Sequence, residues 1–582
     1  MKKKIIAMLC INQIIAFSDA FSSLFIKGLK FTQSTKYFSH LAISPTKQDP
    51  TFDEKANQVK SSEGRQQTAL LWLAHNRLRI KDNVALQKAA ELGPDGLAIC
   101  LVWPYSNKSK EYSTSIEVTP AEAFGYAAVR ALNDALGKLG QKLWVIPTRQ
   151  ISELEGSDRC DASLAVAEII KNMKPQHVVV DVSSLDLHRD RVSKLRKVLN
   201  DTNVDVVDVL DDGMLFPFEK VAKTLGRSRQ GGRSLRWTTF LTNAMKILDE
   251  EGTDKKIFEM QSLPPILSKS NDVCNSYDLP PQADDLPQWT QILLSRWGEI
   301  SEEEAIYRAK NACRSTNVSS SSQLTEQGSK DSMISPYLRW GVISPQRAAQ
   351  HRIRTRDILW RDWSYICCRL LGPIRRKEAV LKFLDDSIGS TDLVGEQNEK
   401  FLSWCVGNTG SDLVDAGMRQ LWHEGWMPRR IRLLAAGCLV EGLGLNFRHG
   451  RDWFEYTLID HDPAINELMW QNAGLCGVDP FYRGIKWEAS PKCVEDEEYV
   501  QYWLNKELVW PTPLRPYAES RKSFEWIVEA TLQRDILAQK GIYKAARAVS
   551  NSGVRVAWPG LLSPVEEGEV MGVGLIPLKE LI

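Results

Sequence analysis

Five short apolar runs punctuate the first part of the chain: Ala69 to Leu73, Leu97 to Trp103, Leu143 to Pro147, Val178 to Val182 and Val204 to Leu210. Their apolar character is nearly unbroken, which predicts strands buried on both faces, as in a parallel sheet. Between them Phe124, Ala128, Leu132, Leu136 and Leu139 recur at helical spacing, and residues 164–173 read as a second apolar helix. This alternation predicts an α/β doubly wound parallel-sheet N-terminal domain over residues 67–210. It carries neither G-x-G-x-x-G nor G-x-x-x-x-G-K-[ST], so nothing local marks a nucleotide site. From Trp289 onward the patterns turn helical, over 301–313, 345–371, 412–423, 429–441 and 452–458, and predict an all-α C-terminal domain over 286–515. Residues 211–285 lose the strand pattern and gather Gly231, Gly232, Pro264, Pro265, Pro280 and Pro281, as a surface connection between domains would. Arg227, Arg229, Arg233 and Arg236 within it read as a solvated charged loop, with a phosphate-touching patch as the alternative. Residues 516–582 read as a C-terminal extension, helical over 520–549 and Gly- and Pro-punctuated from Gly553.

Composition narrows the classes. A chain of 582 residues exceeds one core. Its 43% hydrophobic and 25% charged residues and a mean hydropathy of −0.29 exclude a chain disordered throughout and an integral membrane protein. The net charge of +1 excludes a global field that steers to nucleic acid, so any such binding needs a local patch. Fourteen of the 19 Trp lie between Trp289 and Trp526, so the two halves are built differently. The 11 Cys are odd in number and contain no C-x-x-C, which argues for a reducing compartment. The eight His do not cluster at ligand spacing; His75, His423 and His449 read as ordinary polar or capping residues, and no metal is predicted.

The N-terminus reads differently. Lys2, Lys3 and Lys4 precede an apolar run from Ile5 to Phe17, too short to span a bilayer, and Ser18-Asp19-Ala20 offers small residues for cleavage. Phe21 to Gln48 then has no acidic residue and recurrent Ser, Thr and Lys. Residues 1–66 thus read as a targeting presequence and leader, resembling the bipartite presequence of algae with secondary plastids. The expectation is a plastid protein with no stable membrane association after processing; a disordered extension on a nuclear or cytoplasmic protein is the alternative.

The most specific passage joins Trp404-Cys405-Val406-Gly407-Asn408-Thr409-Gly410 to Asp460-His461-Asp462-Pro463-Ala464-Ile465-Asn466-Glu467-Leu468-Met469-Trp470-Gln471. Helical spacing places Asn466 and Trp470 on one face, fit to line a planar ligand. An acidic pair among aromatics needs a cation, and Arg432 is the candidate; on spacing alone a structural salt bridge is the favoured reading. Val414-Asp415-Ala416-Gly417-Met418-Arg419-Gln420-Leu421, Gly425-Trp426-Met427 and Arg432, followed by Asp460-x-Asp462-x-x-x-Asn466-x-x-x-Trp470-Gln471, resemble the flavin-binding domain of the cryptochrome/photolyase family, closest to plant-like cryptochromes of algal type. Supporting pieces are Trp72-Leu73-x-x-Asn76-x-Leu78-Arg79, Ser332-x-x-Ser335-Pro336-Tyr337-Leu338 and Trp360-Arg361-Asp362. The resemblance runs from about Thr68 to Leu514.

The resemblance implies an α/β antenna domain followed by a helical domain that holds FAD, with a folate or a deazaflavin as antenna, of which a folate such as methenyltetrahydrofolate is the expectation by frequency. It implies that Ser332, Met333, Ile334 and Ser335 meet the diphosphate, that Trp360, Arg361 and Asp462 join the cofactor site, that Arg432 and Asp460 pair beside the isoalloxazine, and that Asn466 faces flavin N5. An amide there hydrogen-bonds but gives no proton at neutral pH. Trp470 matches the flavin-proximal electron donor, but Phe447 fills the next position and 392–396 offers no distal Trp. Trp453, Trp422, Trp404 or Tyr456 are the candidate substitutes. The implied substrate pocket, Asp357, Trp360, Trp426, Arg429, Arg430 and Asn472, is half altered from the repair pattern. The expectation is therefore a blue-light photoreceptor with FAD, an unidentified signalling partner and at most weak or damage-directed DNA binding; the alternative is a light-driven enzyme that repairs pyrimidine dimers.

Overall fold

The computed structural model describes residues 66–103, 118–147, 162–182, 188–200, 202–211, 213–217, 220, 225–227, 233–251, 259–267, 279–312, 324–325, 328–329, 332–351, 353–371, 377–382, 392–480, 494–519, 537–552, 554–556 and 570–572. The presequence reading over 1–65, Arg229 and the serines 319–322 lie outside them. Residues 66–510 and 517–582 cluster as one compact unit; Pro511–Pro516 falls in the other, where the Leu514 and Arg515 amides donate to the Pro511 carbonyl.

Strands β1 (Thr68–Leu73), β2 (Gly96–Trp103), β3 (Leu143–Pro147), β4 (His177–Val182) and β5 (Asp205–Leu210) form a parallel sheet in the order β3-β2-β1-β4-β5. Every residue of β1 and β2 is buried, as their unbroken apolar runs require, whereas the edge strand β5 alternates toward solvent. Helices α1 (Val84–Leu92), α2 (Pro120–Lys138), α3 (Ala162–Met173) and α4 (His188–Val198) connect the strands. α4 escapes the sequence reading because its apolar residues are few, and α1 because its nine residues are too short a run to show a helical period. Thr119 and Glu122 form a reciprocal capping box at the start of α2, with Pro120 at its first position.

The stretch read as a bare connection holds more. After the two-residue strands β6 (Gly226–Arg227) and β7 (Arg233–Ser234) comes α5 (Trp237–Glu251), which buries Trp237, Phe240 and Ala244. Of the arginine patch, Arg236 alone has a described side chain. The helical half follows: α6 (Gln288–Trp297), α7 (Glu302–Asn311), α8 (Ser335–Arg339), α9 (Pro345–Gln350), α10 (Thr355–Leu370), α11 (Glu396–Cys405), α12 (Asp412–Glu424), α13 (Arg429–Gly437), α14 (Phe447–Thr457), α15 (Pro463–Ala473), α16 (Val494–Asn505) and α17 (Ile542–Ser552). The single helix expected over 345–371 is two, since His351 leaves helical geometry at φ −97°, ψ −148°. α13 ends in a π-turn, Cys438–Gly442, where Leu443 donates to the carbonyl of Cys438 five residues back. The region is not purely helical: a hairpin pairs β8 (Leu324–Thr325) with β9 (Gly328–Ser329). The extension adds β10 (Val554–Val556) and β11 (Val570–Gly572), completing a sheet ordered β11-β10-β7-β6.

The sheet and the helices lock together where β1 ends. Leu78 donates to the Trp340 carbonyl at 3.1 Å and Arg79 Nη1 to that of Gly341, also at 3.1 Å. Gly341 sits at φ +65° so close to Asn76 that a Cβ would collide with its carbonyl. Arg77 and Arg79 both reach Asp211 (3.1 and 3.2 Å). Burial alone would push that carboxyl up, but the two guanidinium groups hold it down at about 2.

Candidate functional site

Asp460 lies in the turn between α14 and α15, where the chain reverses and two helices converge on one carboxylate. Arg432, from α13, meets it through Nη1 (3.1 Å) and Nη2 (2.7 Å), and Ser335, at the start of α8, donates its hydroxyl to Oδ2 at 2.6 Å. Trp426 is buried and donates Nε1 to Ser335 Oγ at 3.3 Å, so it backs the serine and does not face a pocket mouth. The pair predicted from sequence is therefore present, and its burial is unequal: the carboxylate side chain is 4% exposed and the guanidinium 25%. The isolated charge to fear is that of Asp460.

Asp462 caps α15. Its Oδ1 accepts the amides of Ala464 (3.0 Å) and Ile465 (3.2 Å), and Pro463 fills the first helical position. Its Oδ2 accepts the Tyr365 hydroxyl at 2.5 Å and lies 3.8 Å from Arg339 Nε. Burial drives the Tyr365 phenol far above its ordinary range, so it stays a donor. Arg361 lies over the Tyr365 ring at 4.5 Å and donates to the Gly213 carbonyl at 2.8 Å, leaving its Nε without a partner. Tyr365 and Arg339 had no sequence signal beyond their helical positions.

Before α8, Met333 adopts φ +47°, a left-handed conformation that a side chain rarely takes and that marks a constrained turn. Ile334 beside it is buried. The two serines differ: Ser335 is committed to Asp460, whereas the Ser332 hydroxyl has no partner among the described residues. Asn466, on α15, donates Nδ2 to the Arg451 carbonyl at 3.0 Å. That contact fixes the amide, since the reverse orientation would set two oxygens together, and leaves Oδ1 as an acceptor. One turn on, Trp470 is buried against Phe454 (ring centroids 5.0 Å) and Trp404 (6.2 Å). Trp453 is buried on α14 with its Nε1 unpartnered.

The proposed substrate residues separate. Trp360 is flanked by Trp237 at 4.3 Å and by the Arg429 guanidinium at 4.6 Å, and donates Nε1 to the Met469 sulfur at 3.2 Å. Arg429 pairs with Asp357 at 3.3 Å, and Asp357 also accepts from Arg354 at 2.9 Å. Asp357, Trp360 and Arg429 thus form one cluster. Arg430 does not join it: its Nη1 grips the buried Asp496 of α16 at 2.8 Å. Asn472 does not join it either, being 0% exposed with Oδ1 accepting the Asp479 amide at 2.9 Å. Among the described residues no group of three or more His, Cys, Asp or Glu is placed to hold a metal ion, and no helix is long and apolar enough to cross a membrane.

A family model described as the FAD binding domain of DNA photolyase matches residues 354–522, and one described as DNA photolyase matches residues 69–251. The chain is 35% identical over 167 residues to a deoxyribodipyrimidine photo-lyase of Agrobacterium fabrum, covering 26% of this chain and 34% of that protein. It is 38% identical over 220 residues to a chloroplastic/mitochondrial cryptochrome DASH of Oryza sativa subsp. japonica, covering 33% of each. The chain spans between about a third and a half of the length of these curated photolyase relatives. A bacterial class III photolyase structure from Agrobacterium tumefaciens superposes with a TM-score of 0.58 at 21% identity, over 84% of this chain and 99% of that one. That likeness speaks to the fold.

Proposed function

Because the chain belongs to the cryptochrome/photolyase family and its helical half is an FAD-binding domain, we propose that it is a blue-light photoreceptor of the plant-like cryptochrome group, working by light-driven flavin reduction. The residues present fit FAD. Ser332 offers an uncommitted hydroxyl at a constrained turn, suited to a phosphate oxygen. Arg432 keeps a partly exposed guanidinium after pairing with Asp460. Asn466 presents an oxygen and no transferable proton. Bound FAD would supply blue-light absorption and electron acceptance. Around it Arg432 would hold positive charge, Asn466 would accept a hydrogen bond, and Trp470, one turn away, would donate an electron. Asp462, capping α15, and Tyr365 from α10 would set the pitch of α15, on which Asn466 and Trp470 stand.

The observation that carries receptor over repair is the state of Trp360. An enzyme that extrudes a damaged dinucleotide needs an open aromatic face on which to stack it. Here Arg429 lies over the ring, Trp237 packs against it, and Asp357 anchors Arg429. Asn472, where the repair pattern has a second Trp, is buried within the protein. Repair of pyrimidine dimers is the second reading, favoured by the amide at Asn466, since the family resemblance implies Asp there in plant-type receptors and Asn in photolyases. The deciding experiment is a repair assay on dimer-containing DNA under blue light, with the flavin reduced chemically so that electron supply is not limiting. No loss of dimers is expected; catalytic turnover would reverse the assignment.

A folate antenna in the α/β half, such as methenyltetrahydrofolate, is proposed on family resemblance alone; release of a second chromophore from purified protein on denaturation checks it. Plastid import is proposed from the composition of residues 1–66, and the organellar designation of the rice cryptochrome is consistent with it. A fluorescent protein fused behind residues 1–60 should enter plastids; cytosolic or nuclear signal argues against it.

A further inference from the structure

The position next to Trp470 in the family's order is Phe447, buried and faced by the Arg448 guanidinium at 4.8 Å, so a positive hole there is doubly unfavourable. A different set of rings is in place. Trp470 meets Trp404 edge-on at 6.2 Å, and the Trp404 Nε1 donates to the Ala435 carbonyl at 2.9 Å. Phe401 stacks on Trp404 (6.1 Å, 20°) and meets Trp453 edge-on at 6.5 Å. Trp453 stacks on Trp422 (6.2 Å, 12°), which stacks on Trp289 (4.9 Å, 18°). Trp422 gives its Nε1 proton to the Val509 carbonyl at 3.0 Å. Trp289 is half-buried and marks the way out to solvent, with Tyr456 stacked on it at 5.7 Å.

These contacts form two aromatic groups, Trp470–Trp404 and Trp453–Trp422–Trp289, with Phe401 touching both. We propose that Trp404, Trp453, Trp422 and Trp289 are a second electron-donor route from the surface to Trp470, with Phe401 as the bridge between its halves. The proposal rests on reading α15 as the flank of an FAD site. Trp470 gives one electron to light-excited FAD and is refilled by Trp404; Trp404 draws on Trp453 across Phe401; Trp453 draws on Trp422, and Trp422 on Trp289. The net result is one electron gained by the flavin and one lost by Trp289. A soluble thiol restores Trp289, and over two turnovers two thiols lose two electrons and two protons to give one disulfide. Carbonyl acceptors on the Trp404 and Trp422 indoles stabilise the transient positive charge on those rings.

The test uses the full chain with FAD bound, excited by a blue pulse and followed by transient absorption of oxidised tryptophan. Trp404→Phe should lose most of the long-lived signal, and Phe447→Trp in that background should restore it by reopening the family's usual position. Trp422→Phe, nearer the surface, should shorten the signal's lifetime even if Trp404→Phe folds poorly. Phe401→Trp, which turns the bridge into a site, should raise the yield. Prolonged illumination without thiol should place tryptophan oxidation products, mapped by peptide mass spectrometry, on Trp289. Parental signals in both Trp404→Phe and Trp422→Phe would overturn the route. Loss of signal in Trp470→Phe alongside those parental signals would confine the failure to the route; a protein that binds no FAD, or one whose photoreduction ignores Trp470→Phe, would refute the flavin-site reading and the route with it.

Discussion

Asp181, at the end of β4, accepts the Ala74 amide at 3.3 Å with one oxygen and has no partner for the other. Burial pushes its carboxyl up to about 6, against the opposing pull of Arg77. A carboxyl raised in the folded state gives stability that is complete below its unfolded value near 4 and lost as the pH climbs through 6. Asp211, held near 2, acts in the opposite sense and below that window. Asp181→Asn should therefore gain on the parent between pH 4.5 and pH 7.5 by about 2–3 kcal/mol, measured by urea unfolding at each pH; a difference independent of pH would refute it. Single residues were also where the sequence was least legible. The Arg432–Asp460 pair could be read, because carboxylates among aromatics demand a cation. Which partner is buried could not, since that depends on Ser335 and Trp426 arriving from elsewhere. Arg429 and Arg430 are neighbours in sequence, yet a helix turns successive side chains by about 100°, so one reaches Trp360 and the other Asp496.

Helices α14 and α15 meet at Gly450, where a Cβ would strike the outer edge of the Trp470 ring and Leu439 Cδ2. Helix propensity alone would favour Gly450→Ala by roughly 1 kcal/mol. Overpacking against a fixed indole costs about 1–3 kcal/mol, so the variant should unfold at lower urea and show altered near-ultraviolet dichroism from a displaced Trp470. A more stable variant would mean that the ring is free to yield. At this scale the sequence was most legible. Apolar runs marked the five parallel strands to within a residue or two; burial on both faces explains the unbroken runs of β1 and β2, whereas the edge strand β5 carries Asp205 and Asp208 toward solvent. The π-turn after α13 and the break at His351 had no such mark. The Gly407 to Gly410 motif also serves the fold: Asp415 accepts the Thr409 and Gly410 amides at 2.8 and 2.9 Å, and burial lifts its carboxyl to about 6.

Over the whole molecule, the described residues of the C-terminal extension are tied to the body at several points, the first being the Tyr517 carbonyl, which accepts Asn408 Nδ2 at 2.6 Å. Tyr543 of α17 donates to Glu441, buried in the π-turn, at 2.8 Å, and β10 pairs antiparallel with β7. The sequence offered only a Gly- and Pro-rich tail here, since strands of two or three residues carry no period and owe their existence to distant partners. β7 leads through Leu235, whose carbonyl accepts Trp363 Nε1 at 3.0 Å, and through Trp237 to the ring of Trp360. Deleting residues 553–582 should bare the edge of β7 and cause self-association, visible by size exclusion with light scattering; a deletion mutant that stays as monodisperse as the parent would show the edge to be covered otherwise. The same pairing has a consequence for the birth of the protein. β6 and β7 leave the ribosome long before β10 and β11 exist, so throughout translation of the entire helical half their sheet waits with an open edge. Its edge closes only once β10 and β11 have been made, and until then the nascent chain carries an unpaired strand edge.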